Sequence, residues 1–159
     1  MSDVEQKGSL EPALRLGIST CLLGEPVRYD GGHKLDRFLV HTLGQYVEWV
    51  PVCPEVEMGL PTPREAIHLE GDADDPRLVS IKTREDLTER MKAWARGRVE
   101  ELAKVGLHGF VFKKDSPSSG LFRVKVYNEH GMAQRNGTGM FPREVMNRVP
   151  LLPLEEEGR

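Results

Sequence analysis

Tyr46-Val47-Glu48-Trp49-Val50-Pro51-Val52-Cys53-Pro54-Glu55, followed by Gly59-Leu60-Pro61-Thr62-Pro63-Arg64, decides how this chain is read. The apolar run is short and rich in β-branched and aromatic residues, so Trp49 to Cys53 reads as a strand. The prolines and the glycine around Cys53 keep a helix from starting at once and hold the cysteine in a rigid setting. One other cysteine exists, Cys21, and it too ends a short apolar run. Both cysteines therefore read as residues on one rim of a sheet, facing a common site.

Working outward, Leu14-Arg15-Leu16-Gly17-Ile18-Ser19-Thr20 reads as a central first strand, ended by Cys21-Leu22-Leu23-Gly24. Leu35, Phe38, Leu39, Leu43, Tyr46 and Val47 fall on one helical face and predict a helix over Lys34 to Val47. An acidic loop, Glu70 to Asp75, precedes a short third strand, Leu78 to Ile81. Thr83-Arg84-Glu85-Asp86 has the composition of a capped helix start. Leu87, Met91, Trp94, Ala95, Leu102 and Val105 continue that helix on one face, which makes Trp94 a core residue. Gly109-Phe110-Val111-Phe112 is a buried strand that opens into the turn-rich loop Lys113-Lys114-Asp115-Ser116-Pro117-Ser118-Ser119-Gly120. Val124 to Tyr127 reads as a further strand, followed by a glycine-containing polar stretch. A helix from about Pro142 to Arg148 and an apolar piece, Leu151 to Leu154, complete the pattern. Strands alternating with helices predict an α/β fold, three-layered and Rossmann-like, with a mainly parallel sheet and helices on both faces. Right-handed crossovers bring the strand C-termini to one edge, where ligands of such sheets bind. The loops opening at Cys21, Cys53 and Ser116 each follow a strand, so topology alone gathers them.

At 159 residues the chain suits one domain with a real core. We place that domain at residues 14–154, after a disordered lead over 1–13 and before a tail or interrupted linker over 155–159. The run Glu155-Glu156-Glu157 reads as solvated. A net charge of −3 gives no general attraction for nucleic acid or an anionic membrane. No apolar run approaches the roughly 18 residues of a membrane span, and the start has no signal-peptide core. Two cysteines cannot build a disulfide framework, so a reducing cytoplasm is the expected compartment.

Three pieces carry a resemblance to a known family. They are Ile18 to Gly24 with Arg28-Tyr29-Asp30-Gly31; Pro51 to Glu55 with Gly59 to Arg64; and Ser116-Pro117-Ser118-Ser119-Gly120. In order and spacing the chain resembles the thiouracil desulfidases, also known as domain of unknown function 523, from about Arg15 to Leu154. The Gly31-Gly32-His33-Lys34 extension and the chain's ending resemble longer members, in which a second domain (domain of unknown function 1722) follows. The resemblance implies a 4Fe-4S cluster held by three cysteines, with one iron left open for the sulfur of a thiolated base or nucleoside. Carried over, Cys21 and Cys53 are two of the metal ligands. The third ligand position holds Ser119, where the family pattern has cysteine.

The chemistry so implied is sulfur removal without net redox change. Iron in such clusters favours soft thiolates, and a serine oxygen is a harder, less acidic donor. A carboxylate near the open iron would activate water or protonate the base, and Glu55 is the candidate. Ser116 and Ser118 are candidate catalytic hydroxyls. Lys113 and Lys114 would stabilise developing negative charge, while Arg28, Asp30 and Arg64 shape the substrate pocket. Without the resemblance, the cysteines read as small core residues, Glu55 as a turn or helix-start carboxylate, and Asp30 as a turn residue. The Ser116 to Gly120 loop then reads as a plain turn or an anion nest. His33, His41, His68, His108 and His130 lack metal-ligand spacing and read as surface residues. Two rival readings stand beside the desulfidase. One is a cluster-less domain that binds a ligand or a partner. The other is a mononuclear metal site on the two cysteines.

Overall fold

A computed structural model describes residues 14–158; the lead expected over 1–13 lies outside them. Strands β1 (Leu14–Ser19) and β2 (Val47–Val52) are followed by the one-turn helix α1 (Pro54–Glu57). The hairpin β3 (Ile67–Asp72) and β4 (Asp75–Ser80) leads to the long helix α2 (Thr88–Val105). Then come β5 (Gly109–Phe112), β6 (Val124–Tyr127), β7 (Ala133–Gly137), helix α3 (Met140–Arg148) and β8 (Leu154–Glu156).

The mainly parallel sheet expected from the alternation is present, in the order β2-β1-β5-β8, and all three of its pairings are parallel. β1 is central, so the chain order reverses beside it, and that is where doubly wound sheets open a crevice. Gly17 pairs with Phe110 in register. A Cβ there would lie 2.1 Å from the Phe110 ring, so glycine lets that ring cover β1 and stack on Phe112 at 4.3 Å.

A second, mixed sheet, β4-β3-β6-β7, was not expected. Its hairpin uses the acidic stretch read as a loop: Glu70 pairs with Arg77, and the Asp72 carboxylate caps the turn by accepting the Asp74 N–H at 2.9 Å. Helix α2 serves both cores. Its Met91 joins Leu69, Leu78 and Val126 of the second sheet, while Ala95, Val99 and Leu102 join Val52, Phe110 and Phe112 of the first. Trp94 packs against both, as its place on the apolar stripe implied. The opposite face of the first sheet is covered through Ile18, Leu22 and Leu39.

Several boundaries shift for local reasons. The helix expected over Lys34 to Val47 shrinks to a wide turn, Phe38–Thr42, and a tight turn, Leu43–Gln45. Val47 is taken by β2, where it pairs with Leu14. A helix does start directly after Cys53, because Pro54 takes the first helical position, where no N–H is needed. α2 starts at Thr88 rather than Thr83, since the Thr83 hydroxyl bonds Glu65 at 2.7 Å and Asp86 instead caps the Thr88 N–H at 2.9 Å. The glutamate run is no solvated tail: β8 pairs with β5, and Glu156 is buried, accepting the N–H groups of Leu121 and Phe122 at 2.9 and 3.0 Å. Among the described residues, no helix is long and apolar enough to cross a membrane.

Candidate active site

At the C-terminal edge of the parallel sheet lies a cavity of about 230 Å³. Its walls come from the ends of β1, β2 and β5. Cys21 follows β1 in a tight turn closed by Gly24, whose N–H donates to the Cys21 carbonyl at 3.2 Å. Gly24 has φ of 92°, the left-handed region that glycine adopts without strain. Cys53 follows β2 directly, and its N–H donates to Glu57 at 3.0 Å. Ser119 comes from the loop after β5. All three line the cavity. So do Glu55, Ser116, Ser118, Arg28, Arg64, Lys113 and Lys114.

Asp30 is the expected site residue that does not line it. Its carboxylate accepts the Gly32 N–H at 2.8 Å in an exposed turn. The residues Thr20 and Tyr29 do line the cavity and were not singled out from sequence; only adjacence to Cys21 and Arg28 pointed to them.

The serine loop is held from behind. The N–H groups of Gly139, Met140 and Phe141 donate to the carbonyls of Gly120, Pro117 and Ser118 at 2.7, 3.1 and 3.0 Å. A Cβ on Gly139 would come within 2.9–3.0 Å of that loop's backbone, so the contact needs glycine. Inside the loop, Ser116 Oγ accepts the N–H groups of Ser118 and Ser119 at 3.2 and 3.1 Å. Ser118 Oγ lies 3.0 Å from Ser116 Oγ and 2.8 Å from Glu55 Oε2. A hydroxyl carries one proton. With the Ser118 proton directed at the carboxylate, Ser116 donates to Ser118, and the chain runs Ser116 to Ser118 to Glu55.

Glu55 is gripped from its other side by Arg64, whose Nε donates to Oε1 at 2.8 Å; the two side chains are 13% and 6% exposed. The remaining Arg64 donors reach the Pro61 carbonyl and Thr62 hydroxyl at 3.1 and 2.9 Å and the Val27 carbonyl at 2.8 Å. Four of the five Arg64 N–H donors are thus used within the protein, tying Glu55 to two loops. Burial pushes both cysteine thiols up from their ordinary value near 9.0. The charges of Lys113 and Arg28 oppose this at Cys21, and a hydrogen bond from the Val56 backbone opposes it at Cys53.

Ser119 is 4% exposed, yet its hydroxyl has no hydrogen-bond partner among the described residues, although its N–H is bonded. Its Oγ is not among the fully buried side-chain atoms that lack a partner; it is open to the cavity that both thiols line. Among the described residues, no set of three or more His, Cys, Asp and Glu side chains could hold a metal ion. The donors that share the cavity are two cysteine sulfurs and the Ser119 hydroxyl oxygen, and of these the sulfurs are the soft donors that iron and other thiophilic metals take.

The histidines stay outside the cavity. His68 is not a plain surface residue: it stacks on Tyr127 at 4.4 Å and pairs with Glu70 at 2.5 Å.

Fold and cavity together define an α/β protein with a cavity at the ends of its parallel strands, lined by two cysteines. The chain belongs to the 2-thiouracil desulfurase family, whose model matches residues 16–157. Among solved structures it is similar to a 4Fe-4S-dependent thiouracil desulfidase, TudS (DUF523Vcz), at 28% identity and a TM-score of 0.73, over 91% of each chain. No curated protein matches.

Proposed function

We propose that the protein is a desulfidase that removes sulfur from a thiolated nucleobase at an iron–sulfur cluster. The observation that carries this is the convergence of Cys21, Cys53 and the unpartnered Ser119 hydroxyl on one cavity beside Glu55. Membership of the desulfurase family and likeness to a 4Fe-4S-dependent desulfidase support it. Cys21 and Cys53 would hold the cluster through sulfur, and Ser119 through oxygen. When bound, such a cluster supplies an iron with an open position that accepts sulfur.

The overall change is thiocarbonyl plus water to carbonyl plus hydrogen sulfide. The water oxygen bonds the ring carbon, the carbon–sulfur bond breaks, and no atom needs an external oxidant or reductant. Glu55 is the base. Each carboxylate oxygen has two lone pairs, so Oε2 can accept the Ser118 proton and still face the cavity. A proton taken from water rests there and returns to the base or the leaving sulfur. Ser116 and Ser118 keep that carboxylate oriented, and the cationic edge formed by Arg28, Lys113 and Lys114 favours negative charge developing on the ring.

The test is anaerobic reconstitution with iron and sulfide, followed by measurement of bound iron, visible absorption and sulfide released from 2-thiouracil. The proposal expects all three signals, and a loss of about 100-fold or more in rate for Glu55→Gln. Ser119→Ala should lower iron content, and Ser119→Cys should raise it. Protein that retains no iron and releases no sulfide, in the wild type and in Ser119→Cys alike, would instead be a cluster-less ligand-binding domain.

A further inference from the structure

The acidic C-terminal run has a use that the reading above leaves open. Glu157 follows β8 and extends its ladder, its N–H reaching the Phe112 carbonyl at 3.3 Å. One carboxylate oxygen accepts the Lys114 N–H at 2.7 Å. The other pairs with the Lys113 ammonium at 3.0 Å, and both side chains are 12% exposed. Lys113 also donates to the Lys114 carbonyl at 2.8 Å, and its own N–H donates to the Ser19 hydroxyl at 2.9 Å. One carboxylate therefore fixes both the backbone and the side chain at the point where the third site loop leaves β5.

An ammonium has three donors on a flexible four-carbon stem. Two are taken, by Glu157 and by the Lys114 carbonyl. The third is left, and Lys113 lines the cavity. Without Glu157 the stem would be free to carry the charge out into water, which is where lysines ordinarily keep it.

We infer that Glu157 is a positioning residue that holds the Lys113 ammonium in the cavity wall, so that one N–H is aimed at the bound base. The catalytic part of this inference rests on the desulfidase reading; the placement of Lys113 does not.

The test has two arms on the full-length protein. In the first, native protein is treated briefly with an amine-acylating reagent, and modification of Lys113 is followed by mass spectrometry. Glu157→Gln, which keeps an acceptor for the Lys114 N–H, should label at Lys113 several-fold faster than wild type, with other lysines unchanged. Equal labelling overturns the inference, whether or not the protein is active. The second arm is a double-mutant cycle on sulfide release with Lys113→Met. Glu157→Gln should lower kcat by about 10- to 100-fold while KM moves by less than about threefold. In the Lys113→Met background the same change should cost almost nothing, because its effect passes through the lysine. An equal loss in both backgrounds would mark Glu157 as merely structural and overturn the positioning role. A wild type that releases no sulfide would refute the desulfidase reading and the catalytic role together, leaving the first arm to decide the placement.

Discussion

Replacing Arg64 separates a residue that binds substrate from one that builds the site. Its guanidinium makes four hydrogen bonds, to Glu55, Pro61, Thr62 and Val27. Arg64→Lys keeps the charge and can keep the bond to Glu55, but one ammonium cannot span acceptors on two loops. Two or three hydrogen bonds are then lost, each worth about 1 kcal/mol, for a cost of about 2–3 kcal/mol. Arg64→Met is worse. It leaves Glu55, 13% exposed, with Ser118 alone, and breaking a buried pair on one side costs about 3–5 kcal/mol. Against a total stability of about 5–15 kcal/mol, either loss is large. At about 2–4 °C per kcal/mol for a domain of this size, Arg64→Lys should melt about 4–12 °C below wild type. Urea denaturation of the wild type and both variants, with thermal scans beside it, measures this directly. In Arg64→Lys the activity loss should appear in kcat, because Glu55, even with its bond kept, is no longer tied to the loops at Val27 and Pro61. If Arg64→Lys is as stable as wild type and raises only KM, the guanidinium is a substrate contact and the argument from its hydrogen bonds is wrong.

Ser118→Ala removes the hydroxyl that bonds Glu55; a hydrogen bond to a charged group is worth about 1.5–3 kcal/mol, so kcat for sulfide release should fall by about 10- to 150-fold. Ser119→Cys gives up no hydrogen bond and should leave urea stability within about 1 kcal/mol of wild type, whereas Ser118→Cys, one residue earlier, should not. Gly139→Ala puts a methyl against the backbone of the serine loop, and should cost about 1–3 kcal/mol along with most of the iron retained on reconstitution. Glu70 is held below its ordinary value near 4.5, first by the hydrogen bond from Arg84, against an opposing effect of burial. A carboxyl lowered by folding adds stability that is complete above its unfolded value and is lost as pH falls through its folded value. Urea midpoints of wild type should therefore drop more steeply than those of Glu70→Gln as pH falls below about 4.5; parallel curves would remove the Arg84 contact from the account.

What could be read beforehand follows a physical division. β1, β2 and β5 are mostly apolar, and the loops after them carry Gly24, Pro54 and Ser116, so their hydrophobic runs and their loops were both visible. That sufficed to gather Cys21, Cys53 and Ser119, because parallel strands leave no choice of edge. The second sheet was hidden because its strands hardly differ from loops in composition. β7 is Ala133-Gln134-Arg135-Asn136-Gly137 and buries only its last residue. The β3–β4 turn is built from aspartates that serve as hydrogen-bond acceptors. β8 was hidden for the same reason: Glu156 is buried only because two N–H groups await it from Leu121 and Phe122, and nothing in a run of glutamates reports distant donors. Arg64 was found from its motif and does line the cavity, but its bonds to Glu55 and Val27 were not legible, since a side chain's donors show their targets only once the loops are folded.

The same division bears on Ser119. A serine in place of a ligand cysteine leaves two readings open in sequence, a cluster held partly through oxygen and a cluster-less domain. In the folded chain it lines one cavity with both cysteines. The loop is pinned by three backbone hydrogen bonds from the start of α3, Ser116 Oγ absorbs the loop's own N–H groups, and Gly139 lets the two backbones touch. All of this leaves a hydroxyl with no protein partner, open to the cavity that both cysteines line. Its oxygen is available to whatever occupies that cavity, and Ser119→Cys changes only the donor there, from a hard oxygen to a soft sulfur.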